Sequence, residues 1–325
     1  MTASPREWRT IRPVDGPRVA SAADIAALNE VFSEAFTERY RRDGMQGVRV
    51  PPLNPSIWRY AIADAGEGAL VWEDERKRIV AFNMVHHSGT EGWMGPLCVR
   101  PEYQGAGLGK RIVQEGIAML RAGGATVIGL ETMPRTMDNI GFYSGLGFIP
   151  GHLTLTVTLD AEPADARVVL LSRGSHRERA HAIEQCLAMT QLLSPGYDFT
   201  REIELTDRLA LGDTVLLGSY DEPRGFALCH TTPLVEGRAR DELRVLKLVL
   251  RHRSELPQLV RALREHARRA GTRRVAIRLQ GDYGDVYRTL IEMGAKVRWT
   301  DLRMSVYGWN ERSPSDGMVL SNWEI

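Results

Sequence analysis

An apolar strand ending at Val99 runs through Arg100-Pro101-Glu102-Tyr103 into Gln104-Gly105-Ala106-Gly107-Leu108-Gly109-Lys110, where an amphipathic helix begins at once. Gly105, Gly107 and Gly109 allow a tight turn with no Cβ in the way, so backbone N–H groups can converge on an anion at the positive end of the helix. Glycine in a strand-to-helix turn also serves sterics alone, so the flanks decide the reading. Ahead of the turn, Trp93 to Val99 reads as a strand disturbed by Gly95-Pro96, the mark of a bulge. Behind it, Leu108, Ile112, Val113, Ile117 and Leu120 recur at helical spacing and stop at Gly123-Gly124. The dinucleotide fingerprint is not spelled here, because the glycines alternate, and the P-loop ending Gly-Lys-Ser/Thr is missing.

A second signature follows the apolar strand Thr126 to Leu130: Asn139-Ile140-Gly141-Phe142-Tyr143-Ser144-Gly145-Leu146-Gly147-Phe148. Together the two segments resemble the GNAT superfamily of acyl-CoA-dependent N-acyltransferases. Gln104, Gly107 and Gly109 match its pyrophosphate motif Gln/Arg-x-x-Gly-x-Gly/Ala, and Tyr143, Gly147 and Phe148 match its later Tyr-x-x-x-Gly-Phe. The resemblance implies acetyl-CoA as cosubstrate, no metal, and an amine acceptor that attacks the thioester directly in a ternary complex.

With 325 residues the chain is comfortable for two domains of ordinary size. The Lys plus Arg count of 42 balances 41 Asp plus Glu, so net charge gives no push toward nucleic acid or an anionic membrane. Between Asp241 and Gln280 eleven basic residues stand against four acidic ones, and the plain reading is a solvated helix face on Glu255 to Ala270. Cys98, Cys186 and Cys229 are sparse and odd in number, which speaks against a disulfide framework or a zinc site and for a reducing cytoplasm. No window approaches a membrane span, and no apolar leader opens the chain. A homodimer is left open.

Element order repeats along the chain. The first series runs from a strand at Trp8 to Val14 through helices at Ala22 to Arg42 and Ile57 to Ile62, and strands at Ala69 to Trp72, Ile79 to His86 and Trp93 to Val99. The glycine-loop helix, the Thr126 strand, the Tyr143 helix and a strand at Leu153 to Leu159 close it. Asp160 to Asp165 reads as a linker. The second series has strands at Arg167 to Leu171, Thr214 to Ser219, Gly225 to His230, Leu243 to Leu250, Arg274 to Leu279, Lys296 to Trp299 and Leu302 to Tyr307. Its helices are Arg177 to Leu193, Glu255 to Ala270 and one ending at Met293-Gly294. Gly147 lies 48 positions after Val99 and Gly294 lies 44 after Leu250, which supports an internal repeat. The expectation is an α/β (α+β) protein of two tandem GNAT-like domains, 1–160 and 166–325, each a mixed central sheet flanked by helices. The second copy is degenerate: after Leu250 no glycine brings backbone toward a phosphate, Leu290 stands at the tyrosine position and Ala295 at the phenylalanine position.

The resemblance assigns cosubstrate binding to Leu97, Cys98, Val99, Gln104, Gly105, Ala106, Gly107, Leu108, Gly109, Lys110, Asn139 and Tyr143. Backbone N–H groups of Leu97 to Val99 are the candidate oxyanion donors, and Tyr143 the donor to the departing thiolate. In histone-acetylating relatives a glutamate eleven residues before the Gln104 position is the base; here that residue is Trp93. Glu91 lies two residues earlier on the same strand face and can act through water. His86 and His87, whose residue type is the usual proton carrier near neutral pH, point to opposite faces of the strand and are candidates or solvated strand-end residues, and Glu131 is a further candidate. Thr136 occupies the place of the family's asparagine, seven before Tyr143, while Asn139 stands four before it. Phe36 to Arg42 and Trp58-Arg59-Tyr60 fall where the family shapes its acceptor pocket, or are helix packing with exposed charges. The expected activity is acetyl transfer from acetyl-CoA to a primary amine in the cytoplasm; the alternative is a non-enzymatic acyl-CoA sensor or interaction protein.

Overall fold

The computed structural model describes residues 12–323. Of the expected first strand, the part before Arg12 lies outside the described residues. The first half contains β1 (Val14–Val19), α1 (Ile25–Arg42), α2 (Pro55–Ala65), β2 (Ala69–Asp74), β3 (Ile79–Ser88), β4 (Glu91–Val99), α3 (Leu108–Ala122), β5 (Val127–Thr132), α4 (Met137–Ser144) and β6 (Phe148–Asp160). The second contains β7 (Val169–Leu170), α5 (His176–Leu193), α6 (Thr200–Arg208), β8 (Gly212–Gly218), β9 (Pro223–His230), β10 (Glu242–Leu250), α7 (Leu256–Arg269), β11 (Arg274–Gln280), α8 (Gly284–Glu292), β12 (Lys296–Val306) and β13 (Met318–Ser321). Local chemistry sets the helix starts. Asn54 caps α2 through the Ser56 N–H with Pro55 in its first turn, and Ser175 with Glu178 closes a capping box on α5.

Among the described residues the two expected sheets join into one of thirteen strands, ordered β1-β2-β3-β4-β5-β12-β6-β11-β10-β9-β8-β7, with β13 on β10. Most neighbours are antiparallel; β4–β5 and β10–β11 are parallel. At the centre the halves exchange strands. β12 of the second half pairs with β5 of the first, and β6 of the first half pairs with β11 of the second over Thr154 to Asp160. The two strands expected at Lys296 to Trp299 and Leu302 to Tyr307 are therefore one, β12, bent by irregularities at Val297/Trp299 and Leu302/Met304 as it crosses between halves. A helix at α6 and a strand at β13 were not foreseen.

One face of the sheet carries a core common to both halves. Leu28, Trp58, Phe82 and Trp93 meet the same cluster as Phe199, Leu228, Val249 and Trp323. The opposite face carries two separate cores, one under α3 with Ile112, Val113 and Ile128, the other under α7 with Leu259, Leu263 and Ile277. Trp58 and Tyr60, expected to be either acceptor-facing or packing residues, are buried: Trp58 meets Phe32 and Phe82 edge-on and donates to Asn29. On α7, the exposed Arg268 and Arg269 both pair with Glu265, which is itself buried, so the basic face is exposed only in part. The three cysteines are free and buried. Among the described residues no cluster suits a metal ion, and no helix is long and apolar enough to cross a membrane.

Candidate active site

The site starts at a strand that parts from its neighbour. β4 pairs with β5 only over Glu91 to Met94; beyond Met94 its other edge stays on β3, with a register shift opposite Asn83/Val85. The shift falls at Gly95, whose φ of 155° lies where glycine is favoured, followed by Pro96, which has no N–H to give a ladder. Gly95, Pro96 and Leu97 are half-buried between buried neighbours, and Cys98 and Val99 complete the strand. The β4 edge from Gly95 to Val99 thus faces a gap toward β5.

At the end of that gap lies the glycine turn. Gly105 and Gly107 have φ of 83° and 86°, and Gly107 is the N-cap of α3 without a side-chain cap, so the first N–H groups of the helix stay available. A Cβ on Gly107 would meet nothing within 4 Å, so the space in front of this turn is open. Gly105, Ala106 and Lys110 are exposed, whereas Leu108 is buried in the core under α3 and Gly109 faces the ring of Phe142. Gln104 braces the turn: its Nε2 donates to the Val99 carbonyl and its Oε1 accepts from Arg42.

Tyr143 sits half-buried on α4, its ring 5.8 Å from that of Phe148 and 5.2 Å from that of Phe142. Burial, with Cys98 nearby, pushes its hydroxyl well above the ordinary tyrosine range, so it stays a proton donor at neutral pH. Within the described residues this hydroxyl makes no hydrogen bond. Burial likewise keeps Cys98 a thiol. Asn139 approaches Thr132 on β5 at 3.5 Å, and Thr136 donates to Asp43 at the end of α1, closing the side of the gap.

The other candidates are engaged. Glu91 is fully buried and accepts from Ser321 Oγ at 2.7 Å and Trp323 Nε1 at 2.8 Å, with Lys247 Nζ 3.7 Å away. His86, also fully buried, stacks on Trp93 at 3.9 Å; its Nδ1 lies 2.5 Å from Asp64 and its Nε2 3.1 Å from the Gly95 carbonyl. His87 is half-buried and lowered by burial and Arg201, with Nε2 unpartnered. Glu131 is held by Arg278, Arg303 and Thr154; burial works to raise its carboxyl, but the two arginines and the hydroxyl hold it down at about 2. Sequence reasoning missed Asp64, Arg201, Ser321 and Trp323, which come from helices and a tail far away in the chain.

In the second half β10 leaves β11 after Arg244, with a register shift at Val245/Lys247. The gap this opens is filled by β13, paired along Lys247 to Leu250.

Residues 26–148 match the Acetyltransferase (GNAT) family. Serotonin N-acetyltransferase 2, chloroplastic, of Oryza sativa subsp. japonica is 30% identical over 132 residues, which cover 40% of this chain and 59% of the rice protein. The fold is similar to that of a GCN5-related N-acetyltransferase from Sphaerobacter thermophilus (TM-score 0.56, 16% identity, 89% of this chain and 94% of that one). It is similar along nearly its whole length to a tandem GNAT protein from the clavulanic acid biosynthesis pathway (TM-score 0.58, 12% identity, 90% and 98%). The parted strand occurs in both halves, at β4 and at β10, while the glycine turn stands only in the first, and the fold as a whole is similar to that of a tandem GNAT protein. Residues 26–148 thus carry the GNAT acetyltransferase pattern, and the chain spans less than two thirds of the rice protein it matches.

Proposed function

We propose that this protein is an N-acetyltransferase that carries an acetyl group from acetyl-CoA to a primary amine by direct attack within a ternary complex, using the site in residues 1–160. The observation that carries the reading is the open gap between β4 and β5 ending at the uncapped start of α3, with a protonated Tyr143 beside it. Backbone N–H groups of Gly105 to Lys110 hold the pyrophosphate, and the Gly95 to Val99 edge pairs with the extended arm of the cosubstrate. The amine nitrogen bonds to the thioester carbon, the C–S bond breaks, and Tyr143 hydrogen-bonds or protonates the departing sulfur. The amine's surplus proton leaves to water, because Glu91 and His86 are both occupied by internal partners and serve to shape the site.

Those occupied partners also favour a second reading, a protein that binds acyl-CoA without turning it over. Thiol release from acetyl-CoA across a panel of amines separates the two. Amine-dependent release is the expected result; tight binding with no release from any amine establishes the sensor. Residues 166–325 we read as a degenerate copy that supports the first and takes no cosubstrate of its own.

A further inference from the structure

His86 has only acceptors around its ring nitrogens. The Asp64 carboxylate meets Nδ1 and the Gly95 carbonyl meets Nε2, so both nitrogens are placed to donate. Stacking on Trp93 at an interplanar angle of 11° fixes the ring plane. The other oxygen of Asp64 accepts from Arg201 Nε at 3.1 Å, and Arg201 Nη2 donates to the His87 carbonyl at 2.6 Å. Arg201 belongs to α6, in the second half of the chain, and Asp64 to α2 in the first. A continuous row of charge-assisted hydrogen bonds therefore runs from α6 through Asp64 and His86 to the carbonyl at which β4 turns away from β5.

We propose that Arg201, Asp64 and His86 are positioning residues for acyl transfer: through them the second half holds the Gly95 carbonyl and so sets the β4 edge that receives the thioester. The proposal rests on the acetyl-transfer reading above. It explains why a second copy without a cradle is joined to the first. Gly95 has no side chain and Pro96 no N–H, so the bend gains little support from its own residues. Fixing its carbonyl from behind orients the peptide groups of Leu97 to Val99, whose N–H groups must be in place before charge develops on the thioester oxygen. The charged groups facing this row are Asp64 on α2, Arg201 and Glu202 on α6, and Lys247 on β10, with Tyr60 of α2 beside them. Burial works to raise the Asp64 carboxyl, yet His86, Arg201 and Lys247 hold it below its ordinary range.

The test uses the full chain. Nitrogen-15 spectra of the wild-type protein without cosubstrate should show His86 with both ring nitrogens protonated at neutral pH; a single protonated nitrogen overturns the proposal. Arg201→Leu, at a partly exposed side chain, should lower kcat about tenfold with KM for acetyl-CoA within twofold. It should also move the acid limb of the kcat–pH profile to higher pH, because one of the charges holding Asp64 down is gone. Unchanged kcat and profile in an otherwise active enzyme overturn the positioning role. Asp64→Asn, whose amide oxygen can still accept from the ring but which has no carboxyl to titrate, should abolish that limb; a limb unchanged in this variant assigns it to another group and overturns the role given to Asp64. Absence of thiol release from wild-type protein with every amine tested sinks the parent reading and the positioning role with it. The spectrum then still reports whether the row of hydrogen bonds exists.

Discussion

β4 and β10 leave their parallel partners at corresponding points, after Met94 and after Arg244, and each shows a register shift there. The backbone thus makes the same gap twice. What differs is what stands beside it. Past Val99 the first half turns on Gly105 and Gly107 with positive φ and starts α3 without a side-chain cap. Past Leu250 the second half makes a 3₁₀ turn at Arg253–Glu255, places Pro257 in the first turn of α7, and sets the Glu255 carboxylate at the helix N-cap. The Glu255 side chain makes no cap hydrogen bond and pairs with Arg224 instead, so what this turn lacks is the positive-φ glycine backbone that opens the first one. β13 then closes the gap itself. A parted strand is a property of the topology; the capacity to hold a nucleotide arm is a property of the loop after it and of what the rest of the chain leaves vacant.

The largest effect tests whether the halves are separable at all. Glu131 on β5 pairs with Arg278 of β11 and Arg303 of β12, both nearly fully buried, across the exchanged strands. Glu131→Gln leaves those guanidinium groups short of a charge, and should destabilise the chain by about 3 kcal/mol in urea unfolding at pH 7. The sign with pH follows from the lowered carboxyl, about 2 against an ordinary 4.5. Its stabilisation is fully present above pH ~4.5 and is lost as pH falls toward ~2. The gap between wild type and variant should therefore narrow over that window. A variant as stable as wild type at pH 7 would mean the exchanged strands are held by packing alone.

Next comes the chemistry of the first half. Tyr143→Phe should lower kcat by roughly 10²-fold with little change in acetyl-CoA affinity, as loss of a proton donor in the transition state does. A rate within about twofold of wild type would make Tyr143 a packing partner of Phe148.

The cradle comes third. A Cβ on Gly107 meets no protein atom, so Gly107→Val loads the turn with a positive-φ cost but no clash in the free protein. Its methyl groups project into the open space in front of α3. Acetyl-CoA affinity should fall at least tenfold, or about 1.4 kcal/mol, in a folded variant. Calorimetry giving an unchanged Kd would remove pyrophosphate binding from this turn.

These sites differ in how openly the sequence declares them. The glycine turn and Tyr143 are local: their residues lie within one loop or one short helix, and spacing alone is informative. The strand exchange is not, because an alternating strand such as β12 looks the same whether it pairs with its own half or the other. β13 is a run of four residues whose partner, β10, lies some seventy residues earlier, and nothing in Met318 to Ser321 fixes that register. α6 is short and buries Glu202 and Thr206 along with Ile203 and Leu205, which blurs its apolar stripe; Asp198, accepting from the Thr200 N–H, was the one local sign of its start. Glu91 and His86 were legible as titratable groups on the right strands. Their use was not, since Ser321, Trp323 and Asp64 reach them from elsewhere in the fold.

The smallest effect is a null result, and it bears most directly on the two gaps. If β13 and the missing glycines close the second gap, titration of the intact protein with acetyl-CoA saturates at one molecule per chain. Gly107→Val should then show one weakened site with no tighter site behind it. Arg251→Ala, which removes a basic side chain just past Leu250, should leave Kd within twofold of wild type, because charge without converging N–H groups makes no cradle. Two molecules per chain, or a second site surviving in Gly107→Val, would show that β13 yields its place. The second half would then be a working copy whose gap opens only when a ligand displaces the tail.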